Sequence, residues 1–449
     1  MAYFVMGLGR TGCAVLRFLL LQGERVFASD DRCALPEEVA RNPLVTFVPP
    51  REVEKVLGSV KECIVSPGIH PGHPVIRLFE EKGIPVVSEI ELACRYISFP
   101  LVGITGSCGK STTVSLIGEI VRSAGYRAFV GGNLGTPLVE SLMSEEVPDV
   151  GVVELSSFQL ERVYTARFFV AGVLNLYPNH LDYHPNMEAY FQAKGRIFLN
   201  QRPQDWSLFL FSSPSWQARW CRIARGRVVP LGVNVRLFEG LYTLEDTVWE
   251  GGVPSRALLS LEGCSLPGEH NRGNVLVAVA VARILGIPRE TTEAALRSFQ
   301  GLPHRLEFVG EWQGVKCYND SKSTTPSSTR AAIEALPGPL VVILGGKAKL
   351  EDFSELGKAL TRDKIRCVVL YGASRATIAK YLPSWVESYS VESLREAVEV
   401  AWQKAQRGDT ILLSPACTSW DSYVNFEARG EHFRELVHAL GTNTSSESS

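Results

Sequence analysis

Residues 101–113, LVGITGSCGKSTT, restrict how this chain folds more than any other stretch. Leu101, Val102 and Ile104 form a short apolar run that breaks at once into glycines, a lysine and hydroxyl residues. A buried strand that ends in a glycine-rich turn and opens a helix is the geometry in which backbone N–H groups and the helix dipole hold an anion. Lys110 is placed to reach the terminal phosphates of a nucleotide, and Ser111 or Thr112 to offer a hydroxyl to magnesium. The strict pattern asks for glycine five positions before Gly109; Ile104 stands there, flanked by Gly103 and Gly106. An ordinary glycine turn is the alternative, but GKST directly after an apolar strand points to ATP.

A chain of 449 residues has room for about three domains of ~150 residues each. Hydrophobic residues at 45% and charged residues at 21% fit globular domains with filled cores. A net charge of -2 gives no basic surplus for nucleic acid or an anionic membrane, so neither is expected as a partner. No run of about 18 apolar residues is present, and the first residues lack the basic-then-apolar pattern of a signal peptide. Ten cysteines without a CxxC pair argue against a zinc site or a disulfide framework. Reduced thiols in a cytoplasm are expected. The polar tail, residues 441–449, is expected to be disordered.

The chain opens with a predicted strand over residues 2–6, then Gly7-Leu8-Gly9-Arg10-Thr11-Gly12, a helix over 14–22, and a strand over 25–29 ending at Asp30 and Asp31. Read literally, G-x-G-x-x-G with a later acid is a dinucleotide fingerprint, with Asp30 on a ribose hydroxyl. The same turn can hold another nucleotide diphosphate or a sugar nucleotide, or be a turn and no more; the fingerprint alone does not choose. A strand over 62–65 runs into Ser66-Pro67-Gly68, on the edge of an open α/β sheet where ligands bind. Phe99-Pro100 marks an expected boundary.

After the phosphate loop, Gly131-Gly132-Asn133 makes a polar turn, and residues 150–155 form a predicted buried strand with Glu154 near its end. A carboxylate there suits a magnesium ligand or a water-orienting acid, against the plainer reading of a surface glutamate. A strand over 169–175 leads to His180, which by itself reads as structural as readily as a ligand. A helix from about 186 carries Lys194, by itself a solvated helix position. Residues 201–262 alternate short apolar runs with Gly and Pro, as small strands and hairpins do. Asn271 and Asn274 share one face of the next helix, to hold a nucleotide or to cap. Strand-like runs at 306–312 and 315–319 precede Asp320-Ser321-Lys322-Ser323-Thr324. Strands at 340–344, 367–371 and 410–414 then alternate with helices, which predicts a parallel sheet.

Together these motifs resemble the Mur ligases, the ATP-dependent amide-forming enzymes of peptidoglycan precursor synthesis. GLGRTG, SPGI (66–69), ELSSFQLE (154–161), PGEHNRGN (267–274), NDSKST (319–324) and SPACTSWDSYVNFEARG (414–430) are similar to the branch that adds D-glutamate to UDP-N-acetylmuramoyl-L-alanine. The resemblance implies three α/β domains. Residues 1–98 would be a Rossmann-like domain for the uridine substrate, and 99–302 a central P-loop ATPase with a mixed or parallel sheet. Residues 303–440 would be a Rossmann-like domain for the amino acid, leaving 441–449 as the tail. It implies transfer of the ATP γ-phosphate to a carboxylate and attack on the acyl phosphate by the amine of D-glutamate.

Residue by residue, the resemblance places ATP on Gly106, Ser107, Cys108, Gly109, Lys110, Ser111, Thr112, Asn271, Arg305 and Asp320. It places the uridine substrate on Gly9, Arg10, Thr11, Asp30, Asp31, Arg32, Gly68 and Asn133. Lys322, Thr324, Lys349, Ser419 and Phe426 would receive D-glutamate. Lys110, Glu154, His180 and Lys194 would be catalytic. Two magnesium ions are implied, on Ser111, Thr112 and Glu154, and on His180 and Lys194 if that lysine is carbamylated. A monomer is expected. Cys108 stands where the loop usually carries asparagine; the cradle is built of backbone, so ATP binding is expected to persist. Pro326 and Trp420 depart from the pattern near the amino-acid pocket.

Overall fold

Alternating apolar strands and amphipathic helices resolve into three sheets in the computed structural model, which describes all residues except 134, 181–182, 211–213, 265, 267, 349–351 and 446–449. For residues 214, 215, 217, 269, 270 and 442–445 it describes the backbone alone. Contacts divide the chain into two units, Met1–Cys264 with Arg272–Arg297, and Ser265–Asn271 with Ser298–Ser449.

The first sheet has five parallel strands in the order Val45–Phe47, Val26–Ser29, Ala2–Met6, Val60–Val65, Val86–Ser88. All five residues of Ala2–Met6 are buried, as a central parallel strand covered on both faces requires. The strand order reverses beside this strand, so the turns after Met6 and Val65 face each other where such sheets hold ligands. Ser66 Oγ donates to the Gly7 carbonyl at 2.9 Å and ties the two turns together.

The second sheet has nine strands, ordered Arg256–Ser260, Thr247–Glu250, Leu241–Leu244, Arg227–Val233, Trp206–Leu210, Val170–Val173, Leu101–Thr105, Val150–Glu154, Ala128–Gly132. The phosphate-loop strand, Leu101–Thr105, lies among parallel neighbours. Residues 201–262, expected as small strands and hairpins, behave differently in part. Trp206–Leu210 and Arg227–Val233 extend the central sheet in parallel, joined by the helix Pro214–Ile223. The reason is apolar: Trp216 and Trp220 on that helix pack on Phe191, with ring centroids 5.2 and 5.1 Å away. Only the last three strands pair antiparallel.

The third sheet, in the second unit, runs Glu307–Trp312, Val315–Asn319, Thr410–Ala416, Leu340–Gly345, Ile365–Tyr371, Ser388–Ser390, with an antiparallel edge strand on a parallel body. Its last helix, Phe426–Ser445, buries Phe433, Leu436 and Val437 and continues into the polar segment expected to be disordered. Once nucleated by packing, each added helical residue costs little.

The first two sheets share one unit although Phe99-Pro100 suggested a boundary. One apolar core runs through both, and a buried carboxylate adds a polar tie. Glu91, on the helix Glu89–Cys94, accepts from the N–H groups of Tyr164, Thr165 and Ala166 at 2.9, 2.9 and 3.0 Å, and from the Thr165 hydroxyl. Arg95 supplies a charge partner at 3.4 Å. Burial alone would raise the Glu91 carboxyl, but these hydrogen bonds hold it below the usual carboxylate range. Its contribution to stability is therefore present above that range and is lost as pH falls through it. Glu91→Gln removes the charge and turns an N–H group toward donors, which should cost about 2–4 kcal/mol in denaturant unfolding. A loss below about 0.5 kcal/mol would show the contact to be incidental.

Candidate active site

The phosphate loop forms because glycine occupies the two positions that need positive φ. Gly106 has φ 155° and Gly109 φ 84°, and Gly109 is the N-cap of the helix Lys110–Ser123. A Cβ on Gly109 would also lie 2.4 Å from Asn274 Oδ1, which accepts from the Thr113 hydroxyl. Lys110 Nζ turns back to donate to the carbonyls of Gly106 and Ser107 at 2.8 and 3.1 Å. Lys194 Nζ reaches the same Gly106 carbonyl at 2.9 Å, and Thr105 Oγ1 at 3.3 Å. Two amine-bearing side chains thus meet on one oxygen.

Lys194 is not the solvated helix residue its sequence position suggests; it is 1% exposed. Burial, reinforced by the charge of Lys110, pushes its amine well below the ordinary lysine range. Its Nζ lies 4.6 Å over the Tyr190 ring, which His180 approaches from outside at 6.3 Å between ring centroids. His180, exposed and at φ 56°, packs its ring 4.9 Å from Phe158.

Glu154 ends the strand Val150–Glu154 and is 3% exposed. Its Oε1 accepts from Asn133 Nδ2 at 2.8 Å, while Oε2 is buried with no hydrogen-bond partner. An ionised oxygen in that position calls for a cation or a donor. Ser111 and Thr112, both buried, begin the adjacent helix. One carboxylate with hydroxyls fits magnesium, which takes few protein ligands and completes its shell with phosphate and water. Among the described residues no three His, Cys, Asp or Glu side chains converge as a ligand set.

In the first sheet Gly9 caps the helix Arg10–Leu21. Asp30 braces this turn through both oxygens: Oδ2 accepts from Leu8 N at 2.6 Å, and Oδ1 from Arg32 N and Cys33 N at 2.8 Å each. Asp31 faces His73 at 3.1 Å, and Arg10 Nη1 donates to the Gly135 carbonyl at 3.0 Å. Gly68 is exposed at the mouth. A narrow cleft lies between Thr11, Ser66 and Pro67 of this sheet and Phe158, Gln159 and Tyr183 of the second. The cleft is also lined by Glu89, whose burial pushes it up to about 7.

The remaining residues lie in the second unit, except Asn274, and Asn271 is buried near its start. Asn319 organises its strand-end loop: Nδ2 lies within 3.2 Å of His304 Nδ1, Glu307 Oε2 and the Gly430 carbonyl, and Oδ1 accepts from Ser321 N. Asp320 accepts from Leu306 N and the Ser414 hydroxyl, and burial pushes it up to about 6. Arg305 Nε is buried without a hydrogen-bond partner. Lys322 Nζ lies 5.4 Å over the Phe426 ring, and Ser419 is buried beside the exposed Trp420. Thr324 is half-buried, just before Pro326 opens its helix. Lys349 lies outside the described residues. Sequence reasoning missed Asn175 and Tyr190: Asn175 Oδ1 accepts from Ser107 N and Cys108 N, and the Tyr190 hydroxyl meets Ser107 Oγ at 3.1 Å. Only the position of Asn175, just beyond a strand end, could have singled it out.

Comparison with known proteins bears on all three sheets. Residues 1–88 match the Mur ligase MurD-like N-terminal domain, 104–282 the Mur ligase middle domain, and 304–417 the Mur ligase glutamate ligase domain. The chain is 37% identical to the UDP-N-acetylmuramoylalanine–D-glutamate ligase of Caldanaerobacter subterraneus, over 97% of this chain and 98% of the relative. It is 39% identical to the ligase of the same name from Nitrosococcus oceani, over 97% and 96%. Among solved structures, UDP-N-acetylmuramate–alanine ligase from Thermotoga maritima superposes with TM-score 0.61 at 18% identity, covering 98% of this chain and 100% of that one. The MurF ligase of the same organism, solved with ADP, gives 0.62 at 18% identity over 98% and 95%. At that identity the likeness concerns the fold.

The glycine requirement of the loop gives a direct test. Gly109→Ala forces a Cβ into positive φ and against Asn274, at a strain of about 1–3 kcal/mol. ADP binding measured by calorimetry should fall at least about tenfold. Unchanged affinity would mean that the loop conformation is not what nucleotide binding uses.

Proposed function

The chain belongs to the Mur ligases, and from that premise we propose that it joins D-glutamate to UDP-N-acetylmuramoyl-L-alanine at the expense of ATP, in cytoplasmic assembly of peptidoglycan precursors. The observation that carries this reading is the meeting of Lys110 and Lys194 on the Gly106 carbonyl, directly after the strand that pairs with that of Glu154, whose second oxygen is unpartnered. A triphosphate and a carboxylate repel each other, and a site that brings them together must hold positive charge between them.

The division of labour follows residues 1–98, 99–302 and 303–440. The turn at Gly9 to Thr11, with Asp30, Asp31, Arg32 and Gly68, receives the uridine diphosphate. The cleft toward Phe158 and Gln159 takes the sugar, and leads its lactyl-alanine arm toward Lys194. Lys110 and the first N–H groups of the helix hold the ATP phosphates. The alanine carboxylate attacks the γ-phosphorus, the bond to the ADP oxygen breaks, and an acyl phosphate forms. The D-glutamate amine, positioned by Lys322, Thr324, Lys349, Ser419 and Phe426, attacks the acyl carbon. The tetrahedral adduct loses a proton from nitrogen and expels phosphate, leaving the amide. Asn271, Arg305 and Asp320 serve the nucleotide, and Asn133 orients Glu154.

Magnesium, held by Glu154 with Ser111 or Thr112, and at a second place by His180 and carbamylated Lys194, would screen charge between the anions. A neutral amine is the form of lysine that adds carbon dioxide, and burial beside Lys110 favours that form at Lys194. The same surroundings would then trade a buried amine for a buried carboxylate beside Lys110.

ADP release with UDP-N-acetylmuramoyl-L-alanine and a panel of amino acids tests the assignment: D-glutamate should stimulate it above all others. Stimulation by another amino acid in its place would reassign the pocket, with Pro326 and Trp420 as the first suspects. Lys194→Ala should lose at least about 1000-fold in kcat, with part of it restored by a short carboxylic acid in solution. A fully active variant would remove Lys194 from the chemistry. Lys110→Ala should lose ATP-dependent turnover while binding the uridine substrate as the native chain does.

A further inference from the structure

Between the two glycines of the phosphate loop stand Ser107 and Cys108, and neither side chain fixes the direction of its own peptide planes. Asn175, two residues beyond the strand Val170–Val173, does. Its Oδ1 accepts from Ser107 N and Cys108 N, each at 3.0 Å, and its Nδ2 donates to the Cys108 carbonyl at 3.2 Å. The Asn175 backbone carbonyl also accepts from Ser107 N at 3.2 Å.

In a trans peptide the N–H of one residue and the C=O of the residue before it point in opposite directions. With the N–H groups of Ser107 and Cys108 turned to Asn175, the carbonyls of Gly106 and Ser107 face away from it. Those are the two oxygens that receive Lys110 Nζ, and the Gly106 oxygen also receives Lys194 Nζ. With the Cys108 carbonyl turned to Asn175 Nδ2, the Gly109 N–H is directed to the side of the lysines. Three consecutive peptide planes are thus set by one amide side chain, two by its oxygen and one by its nitrogen.

We propose that Asn175 is a positioning residue for the phosphate chemistry: it sets the loop so that Lys110 and the Gly109 N–H face the incoming nucleotide. Only a side chain with an acceptor and a donor on one planar group matches all three planes. This rests on the reading of the loop as the ATP site. Asn175→Ala should raise the ATP KM and the ADP dissociation constant about tenfold or more, with the KM for the uridine substrate and D-glutamate within about twofold of native. Asn175→Asp keeps the acceptor oxygen and loses the donor. Assayed in about 0.5 M salt to screen its charge, it should fall between native and Asn175→Ala.

Two outcomes overturn the proposal: ADP binding by Asn175→Ala within twofold of native, or a parallel rise in all three KM values with no advantage for Asn175→Asp. The native chain and Lys110→Ala serve as controls on the premise. If the native chain fails to bind ADP, or Lys110→Ala binds it equally well, the ATP reading of the loop falls. If those controls behave and Asn175→Ala is unaffected, the role of Asn175 alone falls.

Discussion

Two lysines share one carbonyl oxygen at the head of the phosphate loop, on the parallel sheet that carries Glu154. Like charges a few ångström apart repel by about 4 kcal/mol at the effective dielectric of a protein surface, and more strongly when buried. The Gly106 carbonyl offsets part of that cost by accepting from both amines. Burial and Lys110 shift Lys194 toward its neutral form, which relieves the remainder. A site in that condition is poised to gain from the arrival of anions. The electrostatic arrangement precedes the substrates, so little reorganisation is needed when they bind.

Parallel sheet topology is what makes the convergence possible. Strands that run the same way end on the same edge, so Thr105, Glu154 and the residues after Val173 arrive together although they are far apart in sequence. The neighbouring first sheet brings its own strand ends, at Gly7 and Ser66, to the opposite side of the cleft. Glu91 fastens the link between these sheets by accepting from three successive backbone N–H groups that have no strand or helix to satisfy them.

Legibility in the sequence follows the same physics. The phosphate loop, the glycine turn after the first strand and the alternation of the third segment were readable because each rests on local rules: glycine φ, apolar period, strand-to-helix order. The place of Glu154 at a strand end was readable because the apolar run before it marks a buried strand. The burial of Lys194 was not, since a lysine on a short helix looks solvated until the Thr105 strand and Tyr190 are packed on it. Glu91, in a helix of six residues that also carries Glu89, shows no local sign that its carboxylate turns inward. Trp206–Leu210 was taken with the hairpins because its parallel partner Arg227–Val233 lies across a helix that only the Trp216 and Trp220 packing reveals.

In the second unit the same logic appears with arginine in place of lysine. Arg429 is fully buried, and its guanidinium donates to Ser321 Oγ, the Ser321 carbonyl and the Cys417 carbonyl. No carboxylate is among these hydrogen-bond partners, a costly arrangement for a buried charge unless something is gained from it. The gain is geometric: one planar group ties the Asn319 strand-end loop to the Cys417 strand-end loop and fixes where Lys322 and Ser419 begin. The substitution of Cys108 in the phosphate loop is tolerated for the converse reason. Position 108 contributes its N–H and C=O to Asn175, with Cys108 Sγ 3.6 Å from the same Oδ1, so the backbone groups carry most of what the loop asks of this position.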